Sequence, residues 1–132
     1  MPQGCGDATY ARVYRDVVAP IGRAFAPELV LVSVGFDPHA ADPLAGMRLT
    51  ERGFAEVTDV CLEIAEGSAS GRAVFALEGG YDLEGIAASS AAVVGRLLGE
   101  AHEPVQAEGD EMAAELISAY RSHLGGFWSS LG

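Results

Sequence analysis

The chain contains no lysine: its eight basic residues are all arginine, against nineteen carboxylates, for a net charge of −11 over 132 residues. A field of that sign repels phosphate groups, which argues against direct binding to DNA or RNA. It leaves a cationic ligand open. Long apolar runs are also missing. The stretch Leu29–Val34 is far too short to cross a bilayer. No basic segment leads into an apolar core near Met1, so we expect neither a secretory leader nor a membrane partner, and a cytoplasmic location. Cysteine is scarce too, and Cys5 and Cys61 lack CxxC spacing, which points to two reduced thiols rather than a disulfide or a zinc knot. Histidine is limited to His39, His102 and His123, with no adjacent pair among them. There is no internal repeat.

What is present reads as α/β. The chain is 49% hydrophobic with 17 glycines, outside the range of disordered polymers and of single-domain size. Asp7 is placed to cap a first helix, along which Tyr10, Val13, Tyr14, Val17, Ile21 and Phe25 recur at helical spacing; Pro20 should kink or shorten it. Leu29–Val34 has the continuous apolar character of a parallel strand covered on both faces. A loop punctuated by Pro38, Pro43 and Gly46 follows, long enough to be functional. Thr50 caps the next helix, with Phe54, Val57, Cys61 and Ile64 as its apolar stripe and Glu56, Asp59, Glu63 and Glu66 facing water. Arg72–Leu77 is the second strand. Leu83–Leu98 is a helix whose small side chains allow close approach to the sheet. Residues 7–98 thus form a helix-strand-helix-strand-helix core, 99–109 a linker holding Pro104, and 110–132 a terminal helix over Asp110–Leu124, stopped by Gly125-Gly126, followed by Phe127 and Trp128 as an apolar anchor.

Asp37 and Tyr81 follow the two strands directly. A strand–helix–strand unit sets its strands parallel, so a carboxylate and a phenol are delivered to one sheet edge, the carboxyl edge where open α/β folds build their sites. A carboxylate there can hold a metal, and a phenol can donate to an oxygen that is becoming negative. Each residue also has a plainer reading. Asp37 and Asp42, each before proline, are turn formers by type; Gly79 and Gly80 suit a tight turn, with Tyr81 packing beside it; His39 is a loop residue. His102 and His123 carry no assignment.

Two strings taken together go further. Val32-Ser-Val-Gly-Phe-Asp37-Pro-His-Ala-Ala-Asp42-Pro-Leu-Ala-Gly46, followed by Leu49-Thr50, resembles the metal-site loop of the histone deacetylase family, which includes bacterial relatives acting on polyamines and other small amides. Leu77-Glu-Gly-Gly-Tyr81-Asp-Leu83 resembles that family's catalytic tyrosine turn. The opening Gly4–Tyr10 and the closing Phe127-Trp128-Ser-Ser-Leu131 are similar to its flanking segments. The resemblance implies the arginase/deacetylase α/β fold and a Zn2+-dependent hydrolase that removes acyl groups from acyl-lysine or acylated amines. Carried over, Asp37 is a zinc ligand and Tyr81 the catalytic donor to the oxyanion. Pro43 and Leu44 line the acyl channel, Gly79 and Gly80 shape its floor, and Asp42 stabilises the loop without binding metal. Leu44 offers no carboxylate to a free amine, which favours acyl-lysine over polyamine substrates.

The family's His-His base pair and the Asp-x-His that supplies its other two zinc ligands are absent from these residues. The chain therefore reads as the C-terminal part of one deacetylase domain, a fragment with an incomplete sheet and incomplete zinc site, inactive alone and able to self-associate through its exposed sheet edge. The alternative is an inactive partner-binding or complementation module with a deacetylase-derived fold.

Overall fold

A computed structural model describes residues 1–131. Helix α1 (Asp7–Val13) runs into a π-helical turn (Tyr14–Val18) and then α2 (Ala19–Phe25), so the first helix is one rod with a widened middle. Pro20 lies in the first turn of α2, where its missing amide hydrogen is tolerated; the π turn just before it is the disturbance that the proline foretold. Strand β1 (Val30–Gly35), helix α3 (Glu51–Ser68), strand β2 (Ala73–Gly79), helix α4 (Leu83–Leu97), helix α5 (Glu111–Leu124) and a 3-10 turn (Ser129–Leu131) complete the order.

The two strands pair in parallel from Val30 opposite Ala73 to Val34 opposite Leu77, and a register shift then sets Gly35 against Gly79. The sheet is small and open, two parallel strands with flanking helices. Its apolar strands are covered on one face only. Val30 packs with Ala19, Val60 and Ile64, while Val34 and Phe75 pack with Phe36, Leu49, Phe54 and Val93. On the other face Leu31 is 71% and Val74 52% exposed. The expected covering of both faces is thus corrected: strand periodicity records an apolar demand on each face, and among the described residues only one is met. The small side chains of α4 also serve a different neighbour than expected. They bring α4 close against α3, while Val93 of the same helix reaches Val34 and Phe75 of the sheet.

Several polar residues are placed differently from their sequence reading. Asp7 does not cap α1, whose N-cap is Gly6. Its carboxylate instead accepts from the backbone amide and hydroxyl of Thr50, at 2.7 and 2.6 Å, where α3 begins. Thr50 does cap α3, accepting from the Arg52 amide. Glu56 does not face water: it is 3% exposed, paired with Arg15 and accepting from the amide of Val105 at 3.1 Å. Asp59 receives Arg96 Nε at 2.7 Å and His102 Nε2 at 2.8 Å. Helix α3 lies between α1 and α4, so two of its flanks are covered and an acidic flank must find partners there. The 99–109 segment is fastened down accordingly, with Val105 and Ala107 buried against Ala8 and Ala11. At the far end Ala113, Ile117 and Leu131 join Val13 and Val17 in a second core. Trp128 packs there edge-on to Phe25, whereas Phe127 is 82% exposed and anchors nothing within the described residues.

Candidate functional site

Loop 36–49 is built as a closed unit. Leu49 donates its amide to Pro38 O at 3.0 Å and accepts from Ala40 N at 2.8 Å; Gly4 N to Gly46 O and Arg48 N to Cys5 O, both 2.9 Å, tie the loop's far side to the N-terminal turn. Within it, His39 is 12% exposed at its side chain and lies parallel to Phe54. Its Nδ1 accepts from the Ala41 amide at 3.1 Å, which leaves Nε2 as the proton-bearing nitrogen, 3.5 Å from Glu51. His39 therefore holds the loop against α3. Nothing in its sequence neighbourhood announces this except the aromatic at Phe54.

Asp37 leaves the end of β1 and turns back between the strand ends. A side chain added at Gly35 would meet Asp37 Oδ2 at 2.9 Å, and one added at Gly79 would collide with Oδ1. The carboxylate thus occupies space that two glycines vacate, and the Phe36 amide donates to Gly79 O at 2.8 Å beside it. Asp37 also lines a cavity of about 390 Å³ whose other walls include Tyr10, Val34, Leu49, Phe54 and Phe75. The nearby phenol of Tyr10 is pushed up to about 12, by burial first and then by Cys5, Tyr14, Tyr120 and Asp37. It stays neutral across the working pH range.

Gly80 takes φ of +125°, a region that disfavours side chains, and a Cβ there would crowd Ile86 and Phe36. The chain turns at this point to present Tyr81, whose side chain is 63% exposed; Leu44, across the loop, is 67% exposed. Asp42 is buried. It accepts from the amides of Leu44 (2.8 Å), Ala45 (3.3 Å) and Tyr81 (2.8 Å), so one carboxylate spans the loop and the tyrosine turn. Burial by itself would raise its pKa, but these three amides and nearby His39 outweigh it and hold the carboxyl below its usual range. Asp82 closes the turn as N-cap of α4, accepting from the Gly85 amide at 2.6 Å.

The strand ends thus bring Asp37, Gly79, Gly80 and the Tyr81 backbone together, with Asp42 joining the last to loop 36–49. Pro43 and Leu44 stand exposed on the same loop. For a zinc ion the fit is incomplete. Asp37 supplies one oxygen donor held from behind by two glycines, yet among the described residues no three His, Cys, Asp or Glu side chains gather closely enough to hold a metal. Nor is any helix of the described residues long and apolar enough to cross a membrane.

A carboxylate and a tyrosine turn on one edge of a parallel α/β sheet define a class, and the comparisons give it a family. The model of the histone deacetylase domain matches residues 1–97, and the chain belongs to the histone deacetylase family. It is 37% identical over 130 residues to histone deacetylase 18 of Arabidopsis thaliana, covering 97% of this chain and 18% of that protein. Among solved structures it superposes on the histone deacetylase Clr3 with a TM-score of 0.89 and 31% identity, over 99% of this chain and 22% of the other. On the HDA15 HD domain the TM-score is 0.87 and the identity 33%, over 98% of this chain and 35% of the other. The chain spans about a fifth of the length of the curated relatives it matches, histone deacetylase 18 at 18% and histone deacetylase 10 of Oryza sativa subsp. japonica at 23%.

Proposed function

We propose that these residues are the C-terminal part of the catalytic domain of a Zn2+-dependent amide hydrolase that removes acyl groups from acyl-lysine or acylated amines. The observation that carries this reading is the Asp37 carboxylate lodged between Gly35 and Gly79 at the carboxyl edge of the strands, one turn from Tyr81. Asp37 is one zinc donor, and polypeptide outside the 132 residues supplies the others. Tyr81 is the donor to the substrate: its phenol hydrogen-bonds the acyl oxygen and strengthens that bond as the oxygen becomes negative. Pro43 and Leu44 line the acyl channel and Gly79 and Gly80 its floor. The small side of the turn lets a substrate carbonyl approach the backbone.

The test is kinetic and uses the full-length protein. It hydrolyses acetyl-lysine peptides faster than N-acetylputrescine, because Leu44 gives the channel an apolar wall. Tyr81→Phe lowers kcat by about 10²–10³-fold with little change in KM, since the lost hydrogen bond matters most in the transition state. Full turnover by Tyr81→Phe on the better substrate overturns the assignment. The other reading of the chain, an inactive docking module, is the outcome if the full-length protein hydrolyses neither amide.

A further inference from the structure

We propose that Asp42 is a positioning residue for Tyr81, fixing where the catalytic phenol starts through a hydrogen bond to its backbone amide. The inference rests on the functional reading given above. Asp42 is 9% exposed and its two carboxylate oxygens are divided between two segments. Oδ1 accepts from Leu44 N and Ala45 N, in its own loop; Oδ2 accepts from Tyr81 N at 2.8 Å, thirty-nine residues away. The amide of Asp42 in turn donates to His39 O at 2.9 Å, so the carboxylate is held by the loop whose first residues carry Asp37.

The turn before Tyr81 has little else to fix it on this side. Gly79 is set by the Phe36 amide and the Asp37 carboxylate, and Gly80, at positive φ, contributes no side chain. Glycine adds backbone freedom at the point where the phenol must be aimed. An ionised acceptor on the next amide removes that freedom and is stronger than a neutral one. The chemistry also singles out aspartate. All three partners are N–H donors, so both side-chain oxygens must be acceptors. Asparagine keeps the shape but turns one of them into a donor facing a donor, at Tyr81 or at Leu44 and Ala45. Glutamate is a methylene too long for the enclosed position.

The experiment compares Asp42→Asn, Tyr81→Phe and the double variant in the full-length protein, with hydrogen exchange of the peptide containing Tyr81 as the second readout. Asp42→Asn is expected to lower kcat roughly 10–100-fold, as a modest misplacement of a catalytic group does, with a smaller change in KM, because Oδ1 also holds the Leu44 amide beside the acyl channel while the Tyr81 hydrogen bond matters most in the transition state. Exchange at the Tyr81 amide is expected to accelerate at least about tenfold as an ionised acceptor is lost. The double variant is expected to be no slower than Tyr81→Phe, because one residue acts through the other. Fully multiplicative losses, or an unchanged Tyr81 exchange rate in Asp42→Asn, overturn the proposal. If the wild-type protein hydrolyses neither an acetyl-lysine peptide nor N-acetylputrescine, the functional reading fails on its own account, and the exchange comparison still decides whether Asp42 holds the turn.

Discussion

Gly79 has no side chain where Asp37 has its carboxylate, and that exchange of volume is the tightest contact at the strand ends. Gly79→Ala should push the Asp37 carboxylate from its place or spread the strands, at a cost of about 1–3 kcal/mol of overpacking; urea unfolding beside an amide-hydrolysis assay checks both consequences. Asp42 makes a prediction about pH. Its folded pKa lies below its ordinary 3.8, so its contribution to stability is whole above that value and is lost as pH falls through the folded one. Asp42→Asn should therefore flatten the acid limb of the stability curve below about pH 3.8 and leave the slope at higher pH alone, as pH-dependent urea unfolding will read. Burial raises the Cys61 thiol to about 11 from 9.0. Near pH 8 its iodoacetamide labelling in the folded chain should be at least about a hundredfold slower than in the unfolded one, by thiolate fraction alone; equal labelling rates by mass spectrometry would contradict the burial. At this scale the sequence showed which residue types stand at the strand ends. That Asp42 reaches the Tyr81 amide could not be read, because the contact joins positions distant in the chain and depends on how the loop closes.

Helices and strands were the most legible level, and their surroundings the least. Both strands, the capping role of Thr50 and the final helix follow from periodicity and turn chemistry, with ends within a residue or two of the structure. The burial of Glu56 does not. A single apolar stripe on α3 implied one covered face, whereas neighbours on two sides cover Ala55, Glu56, Thr58 and Val60 as well. The only trace of this in the sequence is the run of small and apolar residues flanking the charged ones. Arg15→Ala removes the partner of a nearly enclosed carboxylate, and because Arg15 itself is 46% exposed the loss should be about 1–3 kcal/mol rather than that of a fully buried pair. Thermal unfolding of the variant measures it; no change would mean the Val105 amide alone suffices for Glu56. His102 was given no role from its position in the chain. Its two ring nitrogens lie against acceptors, Asp59 Oδ2 at 2.8 Å and Glu103 O at 3.1 Å, so the ring ties the 99–109 segment to α3.

Across the whole molecule, apolar surface is distributed as in half of an interface. Leu31 and Val74 project from the uncovered sheet face, and Leu77 and Leu83, 65% and 83% exposed, stand beside the tyrosine turn. Charge of −11 opposes association but does not cover that surface. The 132-residue chain should therefore form soluble, concentration-dependent oligomers in sedimentation velocity, and Leu31→Glu with Val74→Glu should shift it toward monomer. A wild-type chain that stays monomeric at high concentration would show that this face tolerates water. The bond from Asp7 to Thr50 bears on how such a molecule opens. The carboxylate of Asp7, in the first turn of α1, accepts from Thr50, the residue that caps the longest helix, so neither N-terminus can fray without releasing the other. The two helices are therefore expected to open as one cooperative unit, their slowest-exchanging amides sharing a single opening free energy in native-state hydrogen exchange.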